Sequence, residues 1–195
     1  KALGYDKDGE EHYNLISAFH KSLRGSDSQA SLYWLYRMLE AGEDPLFIAR
    51  RMIRCASEDV GMADPNALRT ALSAFETWEK VGPPEARLAL AQAAVYLASA
   101  PKSNALYRAE KAVLEEIGHT GAQAVPLHLR NAPTQLMRKS GYGRGYRYPH
   151  DHDGGWVRQE YLPAGIRTRE YYRPTNRGVE ERIRRRMAEL RKRKE

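Results

Sequence analysis

The chain is 195 residues long and carries 32 Lys/Arg against 25 Asp/Glu, a formal net charge of +7. That length suits one compact domain, or a domain with an appendage, and can bury a core without covalent staples. The single cysteine, Cys55, excludes an internal disulfide framework and any multi-cysteine zinc site, and no apolar run approaches the roughly 18 residues of a membrane span.

The first helix is predicted over Glu10–Arg24, where Tyr13, Ile16, Phe19, His20 and Leu23 recur at helical spacing. Gly25 is its stop. Ser26 is expected to open a second helix, with Gln29 as capping-box partner and Leu32, Leu35, Tyr36 and Leu39 on its face, ending at Gly42. Asp44-Pro45 and Asp64-Pro65 start a third and a fourth helix. Each pair offers a side-chain acceptor at the N-cap and a proline at a position whose N–H has no helical partner.

Leu46, Ala49, Ile53 and Ala56 are the expected face of the third helix, and Leu68, Leu72, Phe75 and Trp78 that of the fourth. Gly61 and Gly82 are the stops. Pro83-Pro84 opens an alanine-rich fifth helix, whose small side chains allow close approach of its neighbours. Ser103 caps a sixth, ending near Gly118. No strand alternation precedes residue 140, so the expected class is all-α, built from antiparallel helices joined by short loops.

The character then changes, which divides the chain at 1–140 and 141–195. Residues 126–140 offer short helices punctuated by Pro126 and Pro133. Residues 141–176 hold six of the 12 tyrosines and Trp156, too aromatic for a disordered linker. An ordered, irregular arm is expected there, with room for a short hairpin. A last helix over about 177–194 places Val179, Ile183, Met187 and Leu190 on one face and arginines elsewhere. The basic excess belongs to this part: residues 1–137 sum to −2, residues 138–174 to +4 and residues 177–195 to +5. Such asymmetry fits an anionic partner for the tail, and equally a solvated helix end.

Candidate chemistry is sparse. No segment matches G-x-x-x-x-G-K-[ST]. Gly141-Tyr142-Gly143-Arg144-Gly145 imitates a phosphate cradle but follows no predicted strand, so a turn is expected. His150-Asp151-His152-Asp153 offers metal-ligand chemistry, yet adjacent side chains diverge, and a polar turn accounts for it. Cys55 lies on the apolar side of its helix as packing. The carboxylate pairs Glu10-Glu11, Glu58-Asp59 and Glu115-Glu116 are expected at helix ends or on exposed faces, and no catalytic residue is assigned. For contact surfaces the candidates are Leu88, Val95 and Tyr96 on the fifth helix with Tyr146, Tyr148, Trp156 and Tyr161 in the arm. Arg182, Arg184, Arg185 and Arg186 are the candidates for phosphate contact.

Several strings are too particular for generic helix. They include Tyr5-Asp6-Lys7-Asp8-Gly9-Glu10-Glu11-His12-Tyr13, His20-Lys21-Ser22-Leu23-Arg24-Gly25-Ser26-Asp27, Ala41-Gly42-Glu43-Asp44-Pro45 and Ser57-Glu58-Asp59-Val60-Gly61. Further along come Ala100-Pro101-Lys102-Ser103-Asn104-Ala105, Pro126-Leu127-His128-Leu129-Arg130-Asn131-Ala132-Pro133-Thr134, Gly141-Tyr142-Gly143, Tyr146-Arg147-Tyr148-Pro149-His150-Asp151, Tyr161-Leu162-Pro163 and Pro174-Thr175-Asn176-Arg177-Gly178. In order along nearly the whole chain, they resemble the C-terminal region of the replication-associated recombination protein A family. These are AAA+ ATPases related to the Werner-helicase-interacting protein and, distantly, to clamp loaders. Residues 150–158 and the basic tail match no motif of that family.

The resemblance implies a clamp-loader-collar-like helical domain that assembles the protein as a homotetramer. It further implies an N-terminal AAA+ module, outside this chain, that binds ATP and magnesium and hydrolyses ATP under DNA stimulation at stalled replication forks. The family's nucleotide-binding and catalytic residues have no positions in this chain, so no cofactor is expected here. The partners implied are a second copy of the chain, fork DNA and other replication proteins. A reduced, cytoplasmic and nucleoid-associated setting is expected. The start, Lys1-Ala2-Leu3-Gly4, has neither an initiator Met nor an apolar signal segment and reads as the edge of a fragment. A monomeric DNA-binding module using the arm and tail is the alternative.

Overall fold

The structure is a computed structural model that describes residues 10–193. The terminal strings Lys1–Gly4 and Tyr5–Gly9 lie outside the described residues. Among those described there is no strand, and the fold is all-α. The helices are α1 (Glu10–Arg24), α2 (Ser28–Ala41), α3 (Pro45–Cys55), α4 (Asn66–Val81), α5 (Arg87–Ser99), α6 (Ala105–Thr120), α7 (Gln135–Lys139) and α8 (Val179–Lys192).

The chain forms two compact units. The first ends at Ala109 and takes in Tyr172–Arg186; the second comprises Glu110–Tyr171 and the segment from Met187 onward. The change of composition at residue 140 lies inside the second unit.

In the first unit α4 packs on α5, α1 on α2, α2 on α5 and α3 on α4. Phe19, Leu23, Leu35, Met38, Ile48, Met52, Leu90 and Leu97 are fully buried between them. Each contributes roughly 1.5–3 kcal/mol of transfer free energy. The caps follow the local sequence. Asp44 accepts the backbone N–H of Leu46, with Pro45 in the first turn, and Asp64 accepts that of Asn66. Gly42 closes α2 in the left-handed region at φ 85°, its N–H and the next one returning to Leu39 and Met38.

Three local expectations are corrected. The cap of α2 is Asp27, whose side chain accepts the Ala30 N–H, while Ser26 turns the chain at φ 62°. An N-cap needs extended backbone, which Asp27 has at φ −100°, ψ 96° and Ser26 does not. Gly118 lies inside α6, which runs on to Thr120 before Gly121 turns at φ 63°. The buried face of α4 is Ala67, Ala71 and Ala74, leaving Leu68 and Leu72 exposed and Phe75 and Trp78 only partly covered. The residues buried on α4 are small, as are Ala93, Ala94 and Ala98 on α5, against which it packs, and small side chains permit close helix packing.

In the second unit the Tyr-rich arm forms no hairpin. It is a sequence of tight helical turns at Pro149–Asp151, Asp153–Gly155 and Ala164–Ile166. Gln159 binds it together: its side-chain amide accepts the Arg147 N–H and donates to the Arg147 carbonyl and to the Tyr161 hydroxyl.

Candidate functional site

Four of the distinctive strings meet in the first unit. After α3 the chain widens into one π-turn, Ala56–Val60, which carries Asp59 into the protein. Asp59 is 7% exposed, against the expectation of an exposed or helix-end position. The helix register that would have left it at the surface is broken by the extra residue in this turn. His20 donates to Asp59 Oδ2 at 3.0 Å and Arg24 to Oδ1 at 2.5 Å. Burial opposes ionisation of Asp59, but the hydrogen bonds from His20 and Arg24 outweigh it and hold the carboxyl at about 2.

The carbonyl of Asp59 accepts the backbone N–H of Ser103 at 2.7 Å. Gly61, two residues on, stands at φ 52°, and a Cβ there would lie 3.3 Å from the Ser103 carbonyl oxygen. Ser103 opens α6, its hydroxyl oxygen accepting the Ala105 N–H. The same hydroxyl donates to Glu180 Oε2 at 2.7 Å. Lys102 donates to the carbonyls of Ala98 and Ala100, closing the end of α5, and burial pulls its pKa down.

Glu180, in the first turn of α8, has no exposed surface. It accepts hydrogen bonds from Ser103, from the hydroxyl of Tyr172, and from both the backbone N–H and the hydroxyl of Thr175. Burial alone would raise its pKa; the donors from Thr175, Ser103 and Tyr172 lower it below the ordinary carboxylate value. Burial and the adjoining Glu180 together raise the pKa of Tyr172. Arg177 donates to the Lys102 carbonyl at 2.7 Å, and Gly178 sits at φ 52° where a Cβ would stand 2.1 Å from the Ala63 carbonyl oxygen. Glu180 was hidden from periodicity by its arginine-rich helix. The signal that finds it is the acceptor-seeking run Pro174-Thr175-Asn176-Arg177-Gly178 just before it.

His20, Cys55 and Asp59 bring one ligating atom each within 4.8 Å, all buried. The geometry does not favour a divalent cation. Both Asp59 oxygens are already engaged by His20 and Arg24. Burial, with Asp59 beside it, pushes the Cys55 thiol up to about 12, so it rests as a neutral thiol with little nucleophilic character. The cluster is a polar lock between α1, the π-turn and the start of α6.

The remaining candidates divide between the units. On α5, Leu88 is 73% and Val95 37% exposed. They share a helix face with the exposed Gln92 and Ser99. Tyr96 is half-buried, and its hydroxyl donates to Asp64 Oδ2 at 2.7 Å. Arg182, Arg184, Arg185 and Arg186 are exposed on α8, with Arg185 paired to Glu181.

In the second unit Tyr146, Tyr148 and Tyr161 are exposed and Trp156 is half-buried. The Gly141–Gly145 run is a turn after α7, with Gly141 and Gly143 at positive φ. The Gly143 N–H returns to the Leu127 carbonyl, and Arg130 lies over the Tyr142 ring at 5.0 Å. No helix among the described residues is long and apolar enough to cross a membrane.

Residues 25–191 match the family model described as MgsA AAA+ ATPase C terminal, and residues 1–24 match that of the AAA C-terminal domain. The chain is 53% identical over 189 residues to the replication-associated recombination protein A of Coxiella burnetii, covering 96% of this chain and 43% of that protein. It is 50% identical over 191 residues to that of Escherichia coli K12, covering 97% and 43%. It is 49% identical over 175 residues to ATPase WRNIP1 of Dictyostelium discoideum, covering 88% and 20%. The chain thus spans less than half the length of these relatives. These matches place it: the chain belongs to the C-terminal family of MgsA-type AAA+ ATPases, the replication-associated recombination proteins.

Proposed function

We propose that this chain is the assembly domain of its AAA+ ATPase, holding four copies together so that the ATPase modules work as one ring. The observation that carries this reading is α5. Its outer face carries Leu88 and Val95 alongside the polar Gln92 and Ser99, so two apolar side chains of a largely apolar helix are left open to water. A symmetric contact with the same helix of another copy would remove this surface from water and close the assembly without free ends. The number four and the collar-like role come from the family resemblance. The arm tyrosines Tyr146, Tyr148 and Tyr161, with Trp156, are the second candidate contact.

Within the whole protein, assembly raises the effective concentration of each ATPase module at its neighbour, where ATP and magnesium bind. The work of that ATPase is DNA-stimulated hydrolysis at stalled forks, among other replication proteins and in the cytoplasm at the nucleoid. The test is the solution mass of the chain and of its Leu88→Asp variant; assembly that survives this substitution unchanged contradicts the role given to α5.

A second reading is a monomeric DNA-binding module. It is favoured by Arg182, Arg184 and Arg186, which are exposed on α8 and make no ion pair with a described residue. It calls for salt-sensitive DNA binding that falls when these arginines and Arg185 are replaced.

A further inference from the structure

The second unit holds a cavity of about 620 Å³, the size of a small-molecule site, lined by the stretch from Asp151 to Arg158 together with Arg147 and Arg193. Three guanidinium groups and the Trp156 ring border it, and so do the carboxylates of Asp151 and Asp153. Arg158 and Arg193 make no ion pair with a described residue, nor do the two aspartates. Arg158 and Arg193 therefore border one space with Asp151 and Asp153 without pairing with them.

Backbone conformation serves this arrangement. Gly154 stands at φ 68°, and a Cβ there would lie 3.1 Å from Arg193 Nη1, so the missing side chain leaves room for the guanidinium. Buried Val157 anchors the wall between Trp156 and Arg158.

We infer that this cavity binds a nucleoside phosphate unit. The phosphate is the partner of Arg158 and Arg193, which match its oxygens in planar, forked geometry. The base stacks on Trp156. The aspartates then have a role that a simple anion site would not give them: they accept from the exocyclic amino group of the base. Inorganic phosphate would satisfy the arginines and leave the carboxylates repelling it. The unit can come as a free nucleotide or as one residue of a single strand. The inference is independent of the assembly role given to α5.

Calorimetric titration of the 195-residue chain tests this with four probes: dCMP, dTMP, inorganic phosphate and a short single-stranded oligonucleotide of cytidines. Saturable binding of dCMP or of the oligonucleotide is expected, and which of the two binds more tightly identifies the source. The dCMP affinity should exceed that of dTMP and of phosphate at least tenfold. The double substitution Arg158→Ala with Arg193→Ala should weaken it at least tenfold at unchanged melting temperature, since both side chains are exposed. Asp151→Asn with Asp153→Asn should erase the preference for dCMP over dTMP. Absence of saturable binding by both dCMP and the oligonucleotide overturns the inference. So does phosphate binding as tightly as dCMP, binding indifferent to Arg158 and Arg193, or oligonucleotide binding lost only with Arg182 and Arg186.

Discussion

The hydroxyl of Ser103 donates to the buried carboxylate of Glu180, 77 residues further along the chain, at 2.7 Å. Through its backbone N–H the same serine holds the carbonyl of Asp59. One residue thus ties the π-turn, the start of α6 and the start of α8 into one junction. A buried carboxylate is costly unless its lone pairs are filled, and here four donors fill them.

Glu180→Ala should therefore be strongly destabilising, by about 3 kcal/mol, because it leaves the donors of Ser103, Thr175 and Tyr172 buried without their acceptor. Ser103→Ala, which removes one donor and leaves the others in place, should cost about 1 kcal/mol. Urea unfolding of the two variants checks the order; equal and negligible losses would show that the junction contributes nothing to stability.

Acid should loosen the first unit at Asp59. Its folded pKa is depressed to about 2 from an ordinary 3.8. The stabilisation is thus fully present above about pH 4 and is lost as pH falls toward 2, a span worth roughly 2 kcal/mol. Asp59→Asn should flatten the melting temperature between pH 4 and pH 2 relative to the unsubstituted chain. A wild-type melting curve that is already flat over this interval would contradict the ion cluster.

Gly178→Ala should destabilise by roughly 3 kcal/mol, because the new methyl would lie 2.1 Å from the Ala63 carbonyl oxygen at a backbone φ that disfavours a side chain. Gly42→Ala is the matched control. It shares the positive φ but has nothing within 4 Å of the added Cβ, so it should cost only about 1 kcal/mol. Thermal melts of both variants separate the steric from the conformational contribution.

Much of the fold was legible because helix boundaries are local. Asp44-Pro45, Gly42 and the Asp64 acceptor act on backbone groups within a few residues of themselves. The faces of the helices were less legible. In α4 two stripes have helical spacing, and the larger one, with Leu68 and Leu72, was the natural choice for a core. The structure buries the alanine stripe instead, on a helix packed against α5 with its own buried Ala93 and Ala94, and small side chains suit close helix packing. The junction residues were visible only as distinctive strings. Nothing in their spacing tells that Asp59, Ser103 and Glu180 meet, since the contacts close loops of tens of residues. The π-turn that buries Asp59 has no periodic signature at all.

The central claim is that α5 is an assembly surface, and light scattering across a wide dilution series measures it most directly. The account predicts a mass of four chains that persists on dilution, and smaller species for Leu88→Asp and Val95→Glu at unchanged helix content. A mass of one chain at every concentration and salt would contradict it.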